Sequence, residues 1–68
     1  MFTTVDVHVD AETTVVEINA TGTGLLLTPE ANAINDSRVN LFLGGSQREI
    51  RTNAQLLIDA LLQLRDDV

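Results

Sequence analysis

The first twenty residues alternate. Val5, Val7 and Val9 are separated by Asp6, His8 and Asp10, and Thr14, Val16, Ile18 and Ala20 are separated by Val15, Glu17 and Asn19. A period of two is what a half-buried strand requires, because successive side chains point to opposite faces of a sheet. The connector Asp10-Ala11-Glu12-Thr13 suits a four-residue hairpin loop. Such a loop sets Val7 opposite Val16 and Val5 opposite Ile18, gathering the aliphatic residues on one face, and a one-residue slip scatters them. The pattern predicts a first hairpin.

Gly22-Thr23-Gly24 interrupts the alternation, and Leu25-Leu26-Leu27 reads as a short buried stub. Thr28-Pro29-Glu30 has the chemistry of a helix start: a capping hydroxyl, a proline at the first helical position, and an acid at the positive end of the dipole. Asn35-Asp36-Ser37 reads as a turn, so that helix is short, and a plain loop over 28–35 is the alternative. Alternation resumes with Val39, Leu41 and Leu43 around Asn40 and Phe42. Gly44-Gly45-Ser46-Gln47 then predicts a turn, and Arg48-Glu49-Ile50-Arg51 a returning strand with Ile50 on the face of Leu41.

The last segment changes period. Thr52 with Gln55 three residues on matches a capping box, and Ala54, Leu57, Ile58, Leu61 and Leu64 or Arg65 follow at helical spacing. A helix from about Asn53 to Asp66 is expected. The sum is a single α+β domain over residues 1–68. Its expected architecture is a small antiparallel sheet of about four strands in two hairpins, with a C-terminal amphipathic helix packed on one face.

That helix carries more apolar surface than one sheet covers. Leu56, Ala60 and Leu62 widen its stripe beyond a single seam, and a helix apolar over most of its circumference is normally buried on more than one side. A chain of 68 residues is short for building a sufficient core alone, and it has no cysteine for a disulfide or thiolate metal site to compensate. Homodimerisation is the expected remedy. The residues expected at the interface are Leu56, Ala60 and Leu62, with Phe42 beside them.

Charge narrows the partners. Ten acids against four bases give a formal net charge of −6, which repels phosphate backbones and anionic membranes, so nucleic acid is disfavoured as a partner. The four arginines form no basic patch, and Phe2 and Phe42 are the only aromatic residues for base stacking. No run approaches the ~20 apolar residues of a membrane span. The N-terminus lacks the basic start and apolar core of a secretory signal. No membrane association and a cytoplasmic location are expected.

The sharpest candidate chemistry is Asp6-x-His8-x-Asp10. On a strand these side chains share one face at about 7 Å intervals, and Glu17 sits opposite Asp6 in the register above. Such a set is of a kind that holds a divalent cation, but the same row is what the wet face of any edge hairpin looks like. The solvated face is the expected reading, with no metal and no cofactor. His8 is of the residue type that pH switches use, yet a lone histidine on a polar face is more often an ordinary surface residue. Ser46 has no flanking glycine on its far side and no evident His partner, so it reads as a turn residue rather than a nucleophile. Gly22-Thr23-Gly24 is too short for a dinucleotide fingerprint, and the chain has no lysine for a phosphate loop. Asn19-Ala20-Thr21 matches a glycosylation acceptor pattern that is common by chance. No catalysis is expected.

Val39-Asn40-Leu41-Phe42-Leu43-Gly44-Gly45 through Ile50, followed by Thr52-Asn53-Ala54, resembles a hairpin–helix pattern in small uncharacterised proteins of actinobacteria and their phages. The Arg-only, Lys-free basic set suits a high-GC coding sequence, as would a haloarchaeal source. The resemblance covers the last thirty or so residues, has no motif of chemical specificity, and implies an origin rather than an activity. A phage origin implies an accessory protein that binds a host protein in the host cytoplasm. Three function classes follow: a non-enzymatic interaction module, a structural or assembly component of a virion or complex, and a nucleic-acid-associated regulator.

Overall fold

The computed structural model describes residues 2–31 and 37–68. Its elements are β1 (Val15–Ile18), β2 (Gly24–Thr28), β3 (Val39–Phe42) and α1 (Gln47–Asp66). The strands form one antiparallel sheet in the order β1-β2-β3. The α+β class is therefore as expected, with three strands among the described residues rather than about four.

The difference lies in the pairing. Residues 5–9 form no strand, and β1 pairs instead with the Leu25-Leu26-Leu27 stub. Val16 lies opposite Leu27 and Ile18 opposite Leu25, in place of Val7 and Val5. The expected loop at 10–13 does turn the chain. The Asp10 carbonyl accepts from the Thr13 and Thr14 amides, and its carboxylate accepts from the Glu12 amide at 2.8 Å. That turn docks elsewhere, with Thr14 Oγ1 donating to the Pro29 carbonyl and the Ala31 amide to the Thr13 carbonyl. Thr28 ends β2 and is buried, so it starts no helix, and Pro29 to Ala31 are not helical. Residues 32–36, the remainder of that expected helix and part of its closing turn, lie outside the described residues.

Asn19 explains why the second pairing wins locally. It is 6% exposed and sits where β1 turns into β2. Its Oδ1 accepts from the Thr23 amide at 2.9 Å and the Thr21 hydroxyl at 3.3 Å. Its Nδ2 donates to Asn40 Oδ1 on β3 at 3.2 Å and to Thr23 Oγ1 at 3.4 Å. The backbone closes the same turn, Asn19 N donating to the Gly24 carbonyl and Gly22 N to the Asn19 carbonyl. Every donor and acceptor of the amide is used, so one side chain holds the β1–β2 turn and ties it to β3. The acceptor-like Asn19-Ala20-Thr21 is thus a structural turn whose amide nitrogen is committed. Gly24 completes the junction: a Cβ there would drive into the backbone carbonyl of Leu41, so only glycine lets β3 approach β2 this closely.

The second expected hairpin is replaced by helix. Arg48-Glu49-Ile50-Arg51 form the opening turns of α1, which starts about six residues before the expected Asn53 and ends at Asp66 as expected. The cap is Ser46, not Thr52. Ser46 Oγ accepts from the Glu49 amide at 3.2 Å and donates to Glu49 Oε1 at 3.1 Å, an N-cap on the capping-box sequence Ser46-Gln47-Arg48-Glu49. Thr52 lies inside the helix and turns its hydroxyl back onto the Arg48 carbonyl at 3.0 Å. Gly44, at φ 150, makes the strand-to-helix corner, where a Cβ would press on Glu49.

Two outcomes follow for stability, read as urea midpoints. Ser46→Ala should cost about 0.5–2 kcal/mol, whereas Thr52→Ala, which removes only a back-bonded hydroxyl, should stay within about 0.5 kcal/mol. Asn19→Ala removes the acceptor of the Thr23 amide and the donor to Asn40 Oδ1 and should cost about 1–3 kcal/mol. Reversal of the Ser46 and Thr52 effects would move the helix start back to residue 53.

Candidate interaction surface

Register fixes which side chains share a face. Directly opposed residues of an antiparallel ladder point the same way, so Val16, Ile18, Leu25, Leu27, Val39 and Leu41 cover one face of the sheet. The opposite face carries Glu17, Leu26, Asn40 and Phe42. One face is wholly aliphatic and the other mixed. An aliphatic face of this kind needs a cover.

Helix α1 stands over that face without closing on it. At about 100° per residue, Ile50, Ala54, Leu57 and Leu61 form its inward stripe, with Ile58 and Leu64 on the flanks. Ile50, Ala54 and Leu57, in the N-terminal part, are half-buried, whereas Leu61 is 64% exposed. On the sheet Leu25 and Leu27 of the central strand are half-buried, and Ile18 on the edge strand β1 is 74% exposed. The helix is pinned at its base, where Asn53 Nδ2 donates to the Leu43 carbonyl at 2.6 Å and Gly44 meets Glu49. It diverges from the sheet beyond that point. The result is a wedge-shaped groove of about 650 Å³ between the two aliphatic surfaces.

Among the described residues that line this groove, none carries a charge or a polar side chain. Among the described residues no hydrophobic side chain is fully buried. The expected helix-on-sheet packing is therefore present as an orientation and absent as a closed core. That is the chief correction to the sequence reading.

The four expected interface residues fall on three surfaces. Leu56, 71% exposed, and Ala60 border the groove stripe along one side of α1. Leu62 lies about 120° from Leu56 around the helix, among Arg51, Gln55, Asp59 and Asp66 on the polar side. Phe42, 67% exposed, is on the mixed face of the sheet, away from the helix. The groove's own walls, above all Ile18, Leu25, Leu41 and Leu61, are the larger apolar surface. Their signal was legible as the alternation of Val16/Ile18, Leu25/Leu27 and Val39/Leu41, once these are seen to share one face.

The metal candidates are not gathered. Asp6 and His8 lie beside Pro29, Glu30 and Arg38, in a segment that does not pair with β1. Glu17 is on the mixed face of β1, and the Asp10 carboxylate is occupied by the Glu12 amide. Among the described residues no group of three or more His, Asp or Glu side chains is placed to hold a cation. Ser46 spends its hydroxyl on the helix cap. No helix among the described residues is long and apolar enough to cross a membrane.

No family model matches the chain, and no curated protein or solved structure matches it either. The origin implied by the sequence resemblance accordingly remains an expectation; the first arm of its hairpin is strand β3 here, and the returning arm is the start of α1.

Because Asp6, His8, Asp10 and Glu17 are dispersed, chelator or added Zn²⁺ should leave the thermal midpoint unchanged, as a ligand with no site on the folded state gives no linkage. A Zn²⁺-dependent rise that His8→Ala abolishes would show that the N-terminal segment assembles a site after all.

Proposed function

We propose that the chain is a non-enzymatic interaction module whose working surface is the aliphatic groove between the sheet and α1, and that it acts with that groove covered by another polypeptide. The observation that carries this reading is the groove itself. It is a concave, uncharged surface walled by Ile18, Leu25, Leu27 and Leu41 on one side and Leu57 and Leu61 on the other, in a chain that buries no hydrophobic side chain among its described residues. Soluble monomers rarely leave continuous apolar patches of this extent open to water. Small-molecule sites of similar volume have a few placed polar groups that orient the ligand, and this groove has none. Packing against side chains needs no such groups. Arg48, Arg51, Asp59 and Asp66 of α1 lie on the far side of the helix, where they keep the assembly soluble without entering the contact, and Arg65 flanks the stripe between Leu61 and Ile58.

A structural or assembly role uses the same surface and differs only in the lifetime of the contact. Regulation of nucleic acid would require a basic surface, and the balance of ten acids to four bases opposes it.

The test is site-specific photo-crosslinking in the cells that express the chain. A photoreactive residue at Leu61 should give polypeptide adducts, whether with another copy or with a different protein, and one at Asp59 should give few. Absence of any adduct from Leu61, or an apolar small molecule retained by the purified chain in native mass spectrometry, would overturn the reading.

A further inference from the structure

We infer that the polypeptide covering the groove is a second copy of this chain, placed so that the C-terminal half of each α1 enters the other's wedge. This rests on the interaction-module reading and goes beyond it in naming the occupant.

Area is the first support. The chain exposes 6099 Å², while a folded monomer of its 7.4 kDa mass exposes about 4,200 Å². The surplus is about 1,900 Å² per chain by that scaling, to which the exposed N-terminal segment and the open groove both contribute. Covering half of it on each of two copies removes about 1,900 Å² in total, within the range of stable specific interfaces.

Shape is the second. A foreign partner must supply cover for an aliphatic sheet face and for an aliphatic helix stripe at once. The chain itself carries one of each, in equal number, at the open end of the same wedge. Two wedges interlocked about a two-fold axis place Leu61 and Leu64 of one copy against Ile18 and Leu41 of the other, and the reverse. Such an isologous contact closes on itself and leaves no apolar surface to propagate. The pieces that diverge most are also the ones that meet: Ile18 and Leu61 are well exposed in one chain and adjacent across the pair.

Charge is the third. Each copy has net charge −6, which disfavours association through any charged surface. Among the described residues the groove has no charged side chain, and of the three acids of α1 Asp59 and Asp66 lie on its far side while Glu49 is held in the cap. The contact proposed brings no acid to its centre, and Arg65 lies at its edge between Leu61 and Ile58.

The experiment is light scattering of the full chain across a concentration series centred at ~50 µM, because an obligate dimer's stability depends on protomer concentration. The expected mass is twice that of one chain, with a thermal midpoint that rises with concentration. Leu61→Glu and Ile18→Glu should each shift the mass toward one chain, and Leu62→Glu, on the polar side of α1, should leave it doubled. Since either groove variant could simply unfold, the wild-type chain carries the decisive measurement. In a mixture of isotope-labelled and unlabelled copies, methyl–methyl contacts between Ile18 and Leu61 should cross between molecules. A dimer without those contacts, or one that Leu62→Glu rather than Leu61→Glu dissociates, overturns the proposal. A monomer that binds a hydrophobic dye in the groove overturns self-association and leaves the module reading standing with a different partner. A monomer that binds no dye, its helix closed on its own sheet, overturns both.

Discussion

A helix and a sheet exclude water only where they touch, and in this chain they touch at one end. Ser46 fixes where α1 begins, and Gly44 with the Asn53–Leu43 hydrogen bond fixes the angle at which it leaves the sheet. From that corner the two aliphatic surfaces diverge. Three strands of four or five residues make a sheet shorter than the 20-residue helix above it. Even perfect closure would leave part of the helix stripe uncovered. The remaining apolar surface is open to water in the single chain, and the proposed function rests on that shortfall.

What defines the fold in the absence of a core is polar and conformational. The Asn19 amide, bonded on all sides, sets the β1–β2 turn and reaches β3. Gly24 sets how closely β2 and β3 approach. These devices specify register without supplying much free energy, because a hydrogen bond exchanged with water nets only about 1 kcal/mol. Hydrophobic burial, at about 25 cal/mol per Å², is the larger stabilising term in most domains, and here most of it is still to be gained. Specification and stabilisation are thus divided between two parts of the molecule.

The sequence showed the α+β class, the alternating segments at 14–20 and 39–43, and the end of the helix at Asp66. It misled on partners. The period-two run at 5–9 looked like the natural mate of β1, because nearest-neighbour hairpins are common. The Leu25-Leu26-Leu27 stub competes by being more apolar and by the closed turn that Asn19 makes possible. Nothing in the polarity of Asn19 announces that it will be buried. The helix start failed for a related reason. Ser46-Gln47-Arg48-Glu49 and Thr52-Asn53-Ala54-Gln55 are both capping-box patterns, and the glycine pair before Ser46 reads as readily as a hairpin turn. Ile50 decides between them, since it falls on the same stripe as Ala54, Leu57 and Leu61 if the helix begins at 47.

The candidate surface was half legible for the same reason. Excess apolar area on α1 was visible, and it pointed to association, but the sequence placed the excess on the helix's outer side, at Leu56 and Leu62, on the premise that the sheet covers the inner side. Once the inner side is open, the surface to be covered is larger, concave and shared between two elements. That changes what a partner must be. A flat Leu seam accepts any amphipathic helix, whereas a wedge with an aliphatic wall on each side accepts something apolar on two faces. In helix α1 Leu56, Ala60, Leu64, Leu57, Leu61 and Ile58 fall within about 200° of the circumference, wider than one contact uses, with Arg65 set between Leu61 and Ile58. In the proposed dimer, the breadth of the stripe, which is a liability in an isolated chain, would let the same helix serve its own sheet along one edge and a neighbouring sheet along the other.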